Sequence, residues 1–136
     1  MAPVVFQTQI QVKPEHLDHF QHVNNVQYLK WVNHAAHLHW EQETSKEQRE
    51  KYTWMVIRHE VDYKHQAFLN DELILKTWVD SFTHVVSIRR VDIINKNTGK
   101  ICAQAKSKWC FLDKAKAKPI RIPGEIKQPY IQVSDV

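Results

Sequence analysis

The sequence predicts an α+β protein in which one antiparallel sheet wraps around one long helix. Two observations carry this prediction. Between about Asn25 and Glu43, apolar residues recur at the three- and four-residue spacing of a helix with one buried face. After Tyr52, apolar and polar residues alternate with a period of two, which is typical of strands. A sheet that wraps around the helix buries the apolar face of the helix and the apolar face of the sheet against each other.

Length and composition predict one domain that spans residues 1–136. The chain has 136 residues, of which 43% are hydrophobic and 25% are charged, values close to the average for a globular protein. No apolar run approaches the roughly 20 residues that a membrane-spanning helix needs. The start of the chain, Met1 to Phe6, lacks the basic and long apolar regions of a signal peptide. We therefore expect a cytoplasmic protein with no membrane partner.

The first strand and the long helix are bounded by recognisable residues. Loose alternation from Val4 to Val12 predicts a strand, and Pro14 ends it. Asn24 and Asn25 are suited to cap the N-terminus of the long helix, because an asparagine oxygen accepts hydrogen bonds from free backbone amides there. The apolar positions of this helix share one face: Tyr28, Leu29, Val32, Ala35, Ala36 and Trp40.

A short second helix and four long strands are predicted after the long helix. Ser45, followed by Gln48, is suited to start a short helix that ends near Tyr52. In the four strands, alternation assigns these residues to shared faces: Met55, Ile57, Val61 and Tyr63; Leu73, Leu75, Thr77 and Val79; Val86, Ile88 and Ile94; and Ile101, Ala103, Ala105, Trp109 and Phe111.

Turn residues separate the last two strands and punctuate the end of the chain. The run Asn97-Thr98-Gly99 predicts a hairpin turn between the third and fourth of these strands. Residues beyond Pro119 include two further prolines and predict an irregular tail.

The stretch from Asp18 to Tyr28 carries the residues best suited to chemistry. It leads into the helix N-terminus, where unpaired backbone amides and the positive end of the helix dipole can hold a developing oxyanion. Asp18 and His22 lie four positions apart just before that helix. Thioester hydrolysis needs a nucleophile or a general base beside a polarised carbonyl, and this stretch offers each part. From the residues alone, Asp18 can equally be a loop residue or a cap for the helix approach.

This stretch resembles the signature of hotdog-fold thioesterases of the 4-hydroxybenzoyl-CoA thioesterase type. Its run from His22 to Asn25 is especially similar to that of plant acyl-ACP thioesterases. The resemblance covers nearly the whole chain and implies the hotdog fold. Later features that fit the family pattern are Asp62-Tyr63 at a strand end, Asn70 to Leu73 at a strand entry, and Lys118 to Pro123 as a Pro-x-Arg-Ile-Pro ending.

The resemblance implies a function and assigns roles to four residues of the stretch. Asp18 matches the catalytic carboxylate, which acts as nucleophile or as base for water, and His22 is expected to orient the carbonyl or carry a proton. Asn24 and Asn25 are expected to shape the turn beside the substrate and cap the helix. Apart from the resemblance, Tyr28 is expected to pack the helix start against the sheet, and its hydroxyl is a candidate to reach the site. The implied reaction is hydrolysis of acyl-CoA or acyl-ACP thioesters without a cofactor.

The sequence departs from the family pattern within the same stretch. Gln21 stands where the family usually has glycine, and Phe20 where the plant enzymes have asparagine. Asn25 occupies the place of a catalytic histidine in some bacterial relatives, so that role is absent. In this family one domain forms only half of the cleft, which implies a homodimer or a tetramer.

Basic residues on the predicted strands are candidates for contacts with the phosphates of coenzyme A. They are Arg58, Lys64, Arg89 and Arg90. Adjacent strand residues face opposite sides, so at most one of Arg89 and Arg90 can serve one pocket. Arg58 and Arg90 are the two that we assign to substrate binding. The alternative is that these charges simply lie on an exposed strand face.

Other functional classes are favoured less by the sequence. His16, His19 and His22 are evenly spaced, but no further ligand follows at a familiar zinc spacing, so we predict no metal. The net charge of +4 would suit nucleic acid, but the basic residues are spread out, and we predict no nucleic-acid partner. A non-catalytic acyl-binding hotdog protein is the main alternative, and a hydratase-type hotdog enzyme is a third.

Overall fold

The computed structural model describes residues 2–132. Its largest elements are one helix and five strands: α1 (Asn25–Glu43), β2 (Phe6–Gln11), β3 (Tyr52–Tyr63), β4 (Glu72–Phe82), β5 (Val86–Asn95) and β6 (Ile101–Asp113). The shorter elements are β1 (Ala2–Pro3), α2 (Lys46–Lys51), β7 (Lys118–Pro119), α3 (Gly124–Lys127), β8 (Ile131–Gln132) and 3-10 turns at Pro14–His16 and Gln128–Tyr130.

The five long strands form one antiparallel sheet in the order β2-β4-β5-β6-β3, with β7 added beside β6. Helix α1 packs on this sheet against β4, β5 and β2. Strands β1 and β8 pair separately. This arrangement confirms the predicted α+β architecture. Within residues 2–132, no helix combines the length and the apolar character that crossing a membrane requires.

Helix α1 begins and ends where the sequence predicts. Asn24 is its N-cap, and its Oδ1 atom accepts a hydrogen bond of 2.9 Å from the Val26 amide. The buried face of the helix packs on Leu73, Leu75 and Ala103 of the sheet. That face consists of Tyr28, Trp31, Val32, Ala35, Ala36 and His39. The short helix α2 is also confirmed, with Ser45 and Gln48 forming its capping box.

The shared face predicted for Met55, Ile57, Val61 and Tyr63 is wrong, because β3 contains a bulge. The register with β6 shifts between Val56 and Arg58, so that Met55 lies opposite Cys110 and Val61 opposite Ala105. Ala105 and Cys110 are an odd number of positions apart, and they therefore point to opposite faces of the sheet. The inserted residue of a bulge reverses the alternation.

Val86, Ile88 and Ile94 share one face of β5, as predicted, but this face is only half-buried. The buried positions of the strand are Ser87, Arg89, Val91, Ile93 and Asn95. Polar side chains lie inside because they have partners there. Arg89 Nη1 donates hydrogen bonds of 3.0 Å to His39 Nδ1 and of 3.0 Å to Thr77 Oγ1.

Residues 120–132 contain regular elements, which corrects the irregular tail predicted there, while the rest of that predicted tail lies outside the described residues. This segment contains α3, a 3-10 turn and β8, and it returns to pair with β1. Ile122, Ile126 and Tyr130 are 2%, 0% and 1% exposed. Ile122 and Ile126 extend a second apolar cluster around Phe111. Elements of two to four residues are too short to produce a periodic pattern, so the sequence gives no sign of them.

We predict that Ile126→Ala lowers the free energy of unfolding by about 2–5 kcal/mol, because it leaves a cavity in this second cluster. Urea denaturation measures the change. Glu125→Ala is the matched control, since Glu125 is exposed in the same short helix, and its effect should be small. If Ile126→Ala had the same urea midpoint as the wild type, the C-terminal segment would not belong to the core.

We also predict a pH-dependent loss of stability that originates at His39. Burial, and then the adjacent Arg89 cation, lower the pKa of His39 to about 3. In the unfolded chain a histidine has a pKa of about 6.5. The unfolded state therefore binds more protons, and the free energy of unfolding falls as the pH falls from about 6.5 towards 3.

The variant His39→Gln keeps an acceptor for Arg89 and removes this ionisation, so its stability should fall less steeply with acid. The difference in slope can reach about 1.4 kcal/mol per pH unit. Urea unfolding of both proteins between about pH 7 and pH 4 measures it. If the free energies of unfolding of wild type and His39→Gln fell in parallel with pH, His39 would not be the origin of the loss of stability.

Candidate active site

The loop that carries Asp18 is closed by its own backbone. Leu17 and Val23 form an isolated antiparallel bridge. Between them, the Asp18 amide donates to the His22 carbonyl at 2.8 Å. The Asn24 amide, which follows the bridge, donates to the His16 carbonyl at 3.0 Å. The loop therefore enters α1 in a fixed conformation.

The Asp18 carboxylate is anchored through one of its two oxygens. Oδ1 accepts hydrogen bonds from the backbone amides of Phe20, at 2.9 Å, and of His22, at 3.2 Å. Among residues 2–132, Oδ2 has no hydrogen-bond partner. The side chain is half-buried. Asp18 is thus held in place by one oxygen while the other remains available to a substrate or a water molecule.

Gln21 adopts a left-handed backbone conformation in this loop, with φ of 62°. Glycine adopts such a conformation without the steric penalty that a side chain introduces. The position is the one at which the sequence departs from the glycine of the family pattern. The loop conformation therefore explains why glycine suits this position, and Gln21 maintains it at a strain of about 1 kcal/mol or more.

A cleft of about 540 Å³ lies beside Asp18. It brings together five of the predicted site residues: Asp18, His22, Asn24, Asn25 and Tyr28. Its other wall comes from the end of β3 and the loop that follows: Tyr63, Lys64, His65 and Gln66. The amides of Lys64 and His65 both donate to the Cys102 carbonyl, at 2.8 and 3.2 Å, which fixes this wall to β6.

The N-terminus of α1 offers a free backbone donor in the cleft. The amides of Val26 and Gln27 are occupied by the side-chain and backbone oxygens of Asn24. Among the described residues, the Asn25 amide has no acceptor. An unpaired amide at the positive end of a helix can hold the negative charge that develops on a carbonyl oxygen.

Tyr28 connects the helix to the second wall of the cleft. Its hydroxyl accepts a hydrogen bond of 3.0 Å from the Ala67 amide, and the side chain is only 3% exposed. Burial raises the pKa of Tyr28 to about 12, so the hydroxyl stays neutral at physiological pH. Nearby, the Tyr63 hydroxyl donates to the Asn25 carbonyl at 3.4 Å. Both tyrosines therefore hold the two walls together.

The His22 ring is oriented by aromatic neighbours. It lies edge-on to Phe68, with ring centroids 5.7 Å apart, and 6.4 Å from the ring of Phe20. Within the described chain, neither of its ring nitrogens makes a hydrogen bond. Phe20 and Phe68 are 68% and 50% exposed, so the His22 ring lies beside exposed apolar surface.

Arg58 and Arg90, which the sequence assigned to substrate binding, are not among the residues that line this cleft. Arg58 pairs with Glu60 at 2.7 Å, and Arg90 with Asp80 at 2.7 Å. Of the four basic candidates on the strands, the structure brings only Lys64 to the cleft.

Little in the sequence indicates the second wall of the cleft. The alternating pattern ends at Tyr63, and the register that sets Tyr63 opposite Ala103 depends on the β3 bulge. His65 and Gln66 follow in a loop with no distinctive motif. In the part of the chain that the structure describes, no three histidine, cysteine, aspartate or glutamate side chains converge to hold a metal ion.

Comparisons with known proteins identify the family of this chain. A family model described as the Thioesterase-like superfamily matches residues 12–129. The long-chain acyl-CoA thioesterase FadM of Escherichia coli (strain K12) is 27% identical over 135 residues, which cover 93% of this chain and 98% of that protein.

Two solved structures show the same fold, which confirms the predicted hotdog architecture. A probable thioesterase from Escherichia coli has a TM-score of 0.77 and 26% identity, over 90% of this chain and 94% of that one. A Staphylococcus aureus protein in complex with CoA has a TM-score of 0.85 and 13% identity, over 95% and 83%. Because the family model spans most of the sequence, this chain belongs to the Thioesterase-like superfamily of thioester hydrolases.

Proposed function

We propose that this protein hydrolyses acyl-CoA thioesters to a free acid and CoA, with Asp18 as the catalytic carboxylate. One observation carries the proposal: Asp18 lines the cleft where α1 begins and is anchored by Oδ1 on two amides, while Oδ2 has no hydrogen-bond partner among residues 2–132. The relative FadM acts on long-chain acyl-CoA according to its name, which supports coenzyme A as the carrier.

In the proposed reaction the thioester carbonyl lies at the N-terminus of α1. The free Asn25 amide donates to the carbonyl oxygen and stabilises its negative charge as the carbon becomes tetrahedral. Asp18 Oδ2 then acts in one of two ways. It attacks the carbonyl carbon and forms a mixed anhydride that water hydrolyses, or it removes a proton from a water molecule that attacks directly.

In both routes the carbon–sulfur bond breaks and the thiolate of CoA leaves. His22 lies in the cleft beside Asp18, and its ring nitrogens make no hydrogen bond among the described residues. We therefore assign to His22 the transfer of a proton to the leaving thiolate. Asn24 and Tyr28 act indirectly, since Asn24 caps the helix and Tyr28 fixes the opposite wall.

Lys64 and His65 supply basic groups on the wall opposite Asp18. They are suited to the phosphates of coenzyme A and equally to an acidic carrier protein, so acyl-ACP is the second candidate substrate. We place the reaction in the cytoplasm, because Cys102 and Cys110 are buried free thiols, which fit a reducing compartment.

The decisive variant is Asp18→Asn. An asparagine oxygen can still accept the hydrogen bonds of Phe20 and His22, so the loop should keep its shape while the charge is lost. We expect kcat/KM for acyl-CoA hydrolysis to fall about a thousandfold, and about a hundredfold for His22→Ala. Release of free thiol measures the rate on acyl-CoAs from acetyl to stearoyl, on benzoyl-CoA and on acyl-ACP.

Glu15→Gln is the matched control, because Glu15 is an exposed carboxylate three positions before Asp18 in the chain. Its rate should equal that of the wild type. A folded Asp18→Asn protein with wild-type turnover would exclude the carboxylate mechanism. Absence of wild-type turnover on every thioester would instead favour a non-catalytic acyl-binding protein.

We further propose that the protein forms a homodimer through β3. This strand is the last in the sheet order, so one of its edges pairs with no strand among the described residues. Met55, Val56 and Ile57 on it are 52%, 38% and 52% exposed. An uncovered edge with apolar side chains is suited to pair with another chain, and a second copy gives a two-fold interface.

We predict that Ile57→Lys shifts the protein from dimer to monomer, because the new charge would lie in the apolar interface. Size-exclusion chromatography with light scattering measures the mass. Val5→Lys is the control, since Val5 is 53% exposed outside the strands of the sheet. A monomeric wild type, or an Ile57→Lys protein that stays dimeric, would disprove this interface.

A further inference from the structure

A second cavity, of about 120 Å³, lies between α1 and the inner face of the sheet. It shares no lining residue with the Asp18 cleft. Ala36 of its helical wall is about 16 Å along the helix axis from Asn25. We call it the Arg89 cavity and define it by six of its lining residues: Trp40, Trp54, Ser87, Arg89, Trp109 and Tyr130.

Arg89 is a buried cation without a charged partner among the described residues. It is 7% exposed, and burial lowers its pKa to about 10, which still leaves it protonated at neutral pH. Its two hydrogen-bond partners, His39 and Thr77, are neutral. No carboxylate oxygen of residues 2–132 lies within 4.0 Å of its guanidinium. Buried charges in proteins are normally paired.

Two further donors line the same cavity without partners. The Trp109 Nε1 and Tyr130 hydroxyl atoms are buried and make no hydrogen bond within the described part of the chain. Arg89 Cζ lies 5.7 Å from the centre of the Tyr130 ring. Buried polar groups are rarely left unsatisfied. A cation and two unused donors around one cavity therefore indicate a missing acceptor that carries negative charge.

We propose that the Arg89 cavity binds the carboxylate group of an apolar or aromatic acid. The carboxylate oxygens accept hydrogen bonds from Arg89, Trp109 and Tyr130. A carboxylate fits better than a phosphate, because the cavity is small and holds one buried cation. Trp40 and Trp54, whose rings lie 6.0 Å apart, provide an apolar wall for the body of the acid.

Two sources could supply this carboxylate. One is a free acid, such as the product of thioester hydrolysis, bound as a separate ligand. The other is a carboxylate at the far end of an acyl chain. Both present the same chemistry to Arg89. Binding of a free acid does not depend on turnover at Asp18, so failure of the proposed thioesterase activity would leave this site unaffected.

The test is a titration of the full chain with benzoate and hexanoate, with benzamide and hexanamide as neutral analogues. Tryptophan fluorescence reports binding, because Trp40, Trp54 and Trp109 line the cavity. Calorimetry provides a second measurement. We expect saturable binding of the acids and binding of the amides that is at least about tenfold weaker. Arg89→Gln should abolish the preference for the acid.

Because Arg89→Gln can disturb folding, Tyr130→Phe is the second variant. It removes only the hydroxyl that has no partner. The melting temperature without ligand should therefore stay the same or rise, while the affinity for the acids should fall about tenfold. If the hydroxyl had only a structural role, Tyr130→Phe would lower the melting temperature and leave the affinity for the acids unchanged. Asp18→Asn is the control for binding in the other cleft and should leave the affinity unchanged.

Absence of saturable binding of the acids would overturn the proposal. So would equal affinities of wild type and Tyr130→Phe, or equal binding of acids and amides. The two sources are separated by comparing acyl-CoAs that end in a carboxylate with those that end in a methyl group. If the protein prefers acyl-CoAs that end in a carboxylate, and Tyr130→Phe removes this preference, the bound carboxylate belongs to the acyl chain. If the protein binds free acids but shows no such preference among acyl-CoAs, the acid is a separate ligand.

Discussion

The burial of one face of α1 against the sheet is the constraint on which the rest of the structure depends. The helix must lie across β4, β5 and β2 to cover their apolar side chains. This contact fixes the position of the helix N-terminus, and the Asn24 cap fixes its first turn. The Asp18 loop is tied to the start of the helix by its own hydrogen bonds. The position of the carboxylate thus follows from the packing of the helix.

The two ends of α1 lie in different chemical surroundings. At its start, the cleft is polar and combines a carboxylate, an imidazole and a free amide. Towards its end, the helix covers a cluster in which Arg89, His39 and Tyr130 contact one another among tryptophan rings. A small core normally excludes such groups, since each costs free energy when it is buried without partners. The apolar contacts around Val32 and Ala35 separate the two regions.

The sequence predicted those parts of the structure that local patterns encode. The limits of α1, its Asn24 cap and the gathering of Asp18, His22 and Asn25 depend on neighbours in the chain. The parts that were wrong or not predicted depend on distant contacts. The β3 bulge reverses an alternation without leaving a mark in the sequence. The inner face of β5 carries Arg89 because His39, fifty positions away, receives its hydrogen bond. Lys64 reaches the cleft only through the pairing of β3 with β6.

The left-handed conformation of Gln21 also affects how many conformations the Asp18 loop can adopt. A glycine there would relieve the strain, but it would give the unfolded and partly opened loop many more backbone conformations. Gln21 has fewer accessible backbone conformations than glycine, so less conformational entropy is lost when the loop closes around the Asp18 carboxylate. The steric penalty at Gln21 therefore comes with a loop that is already ordered in the free protein. A ligand that binds beside this loop does not have to supply the free energy of ordering it.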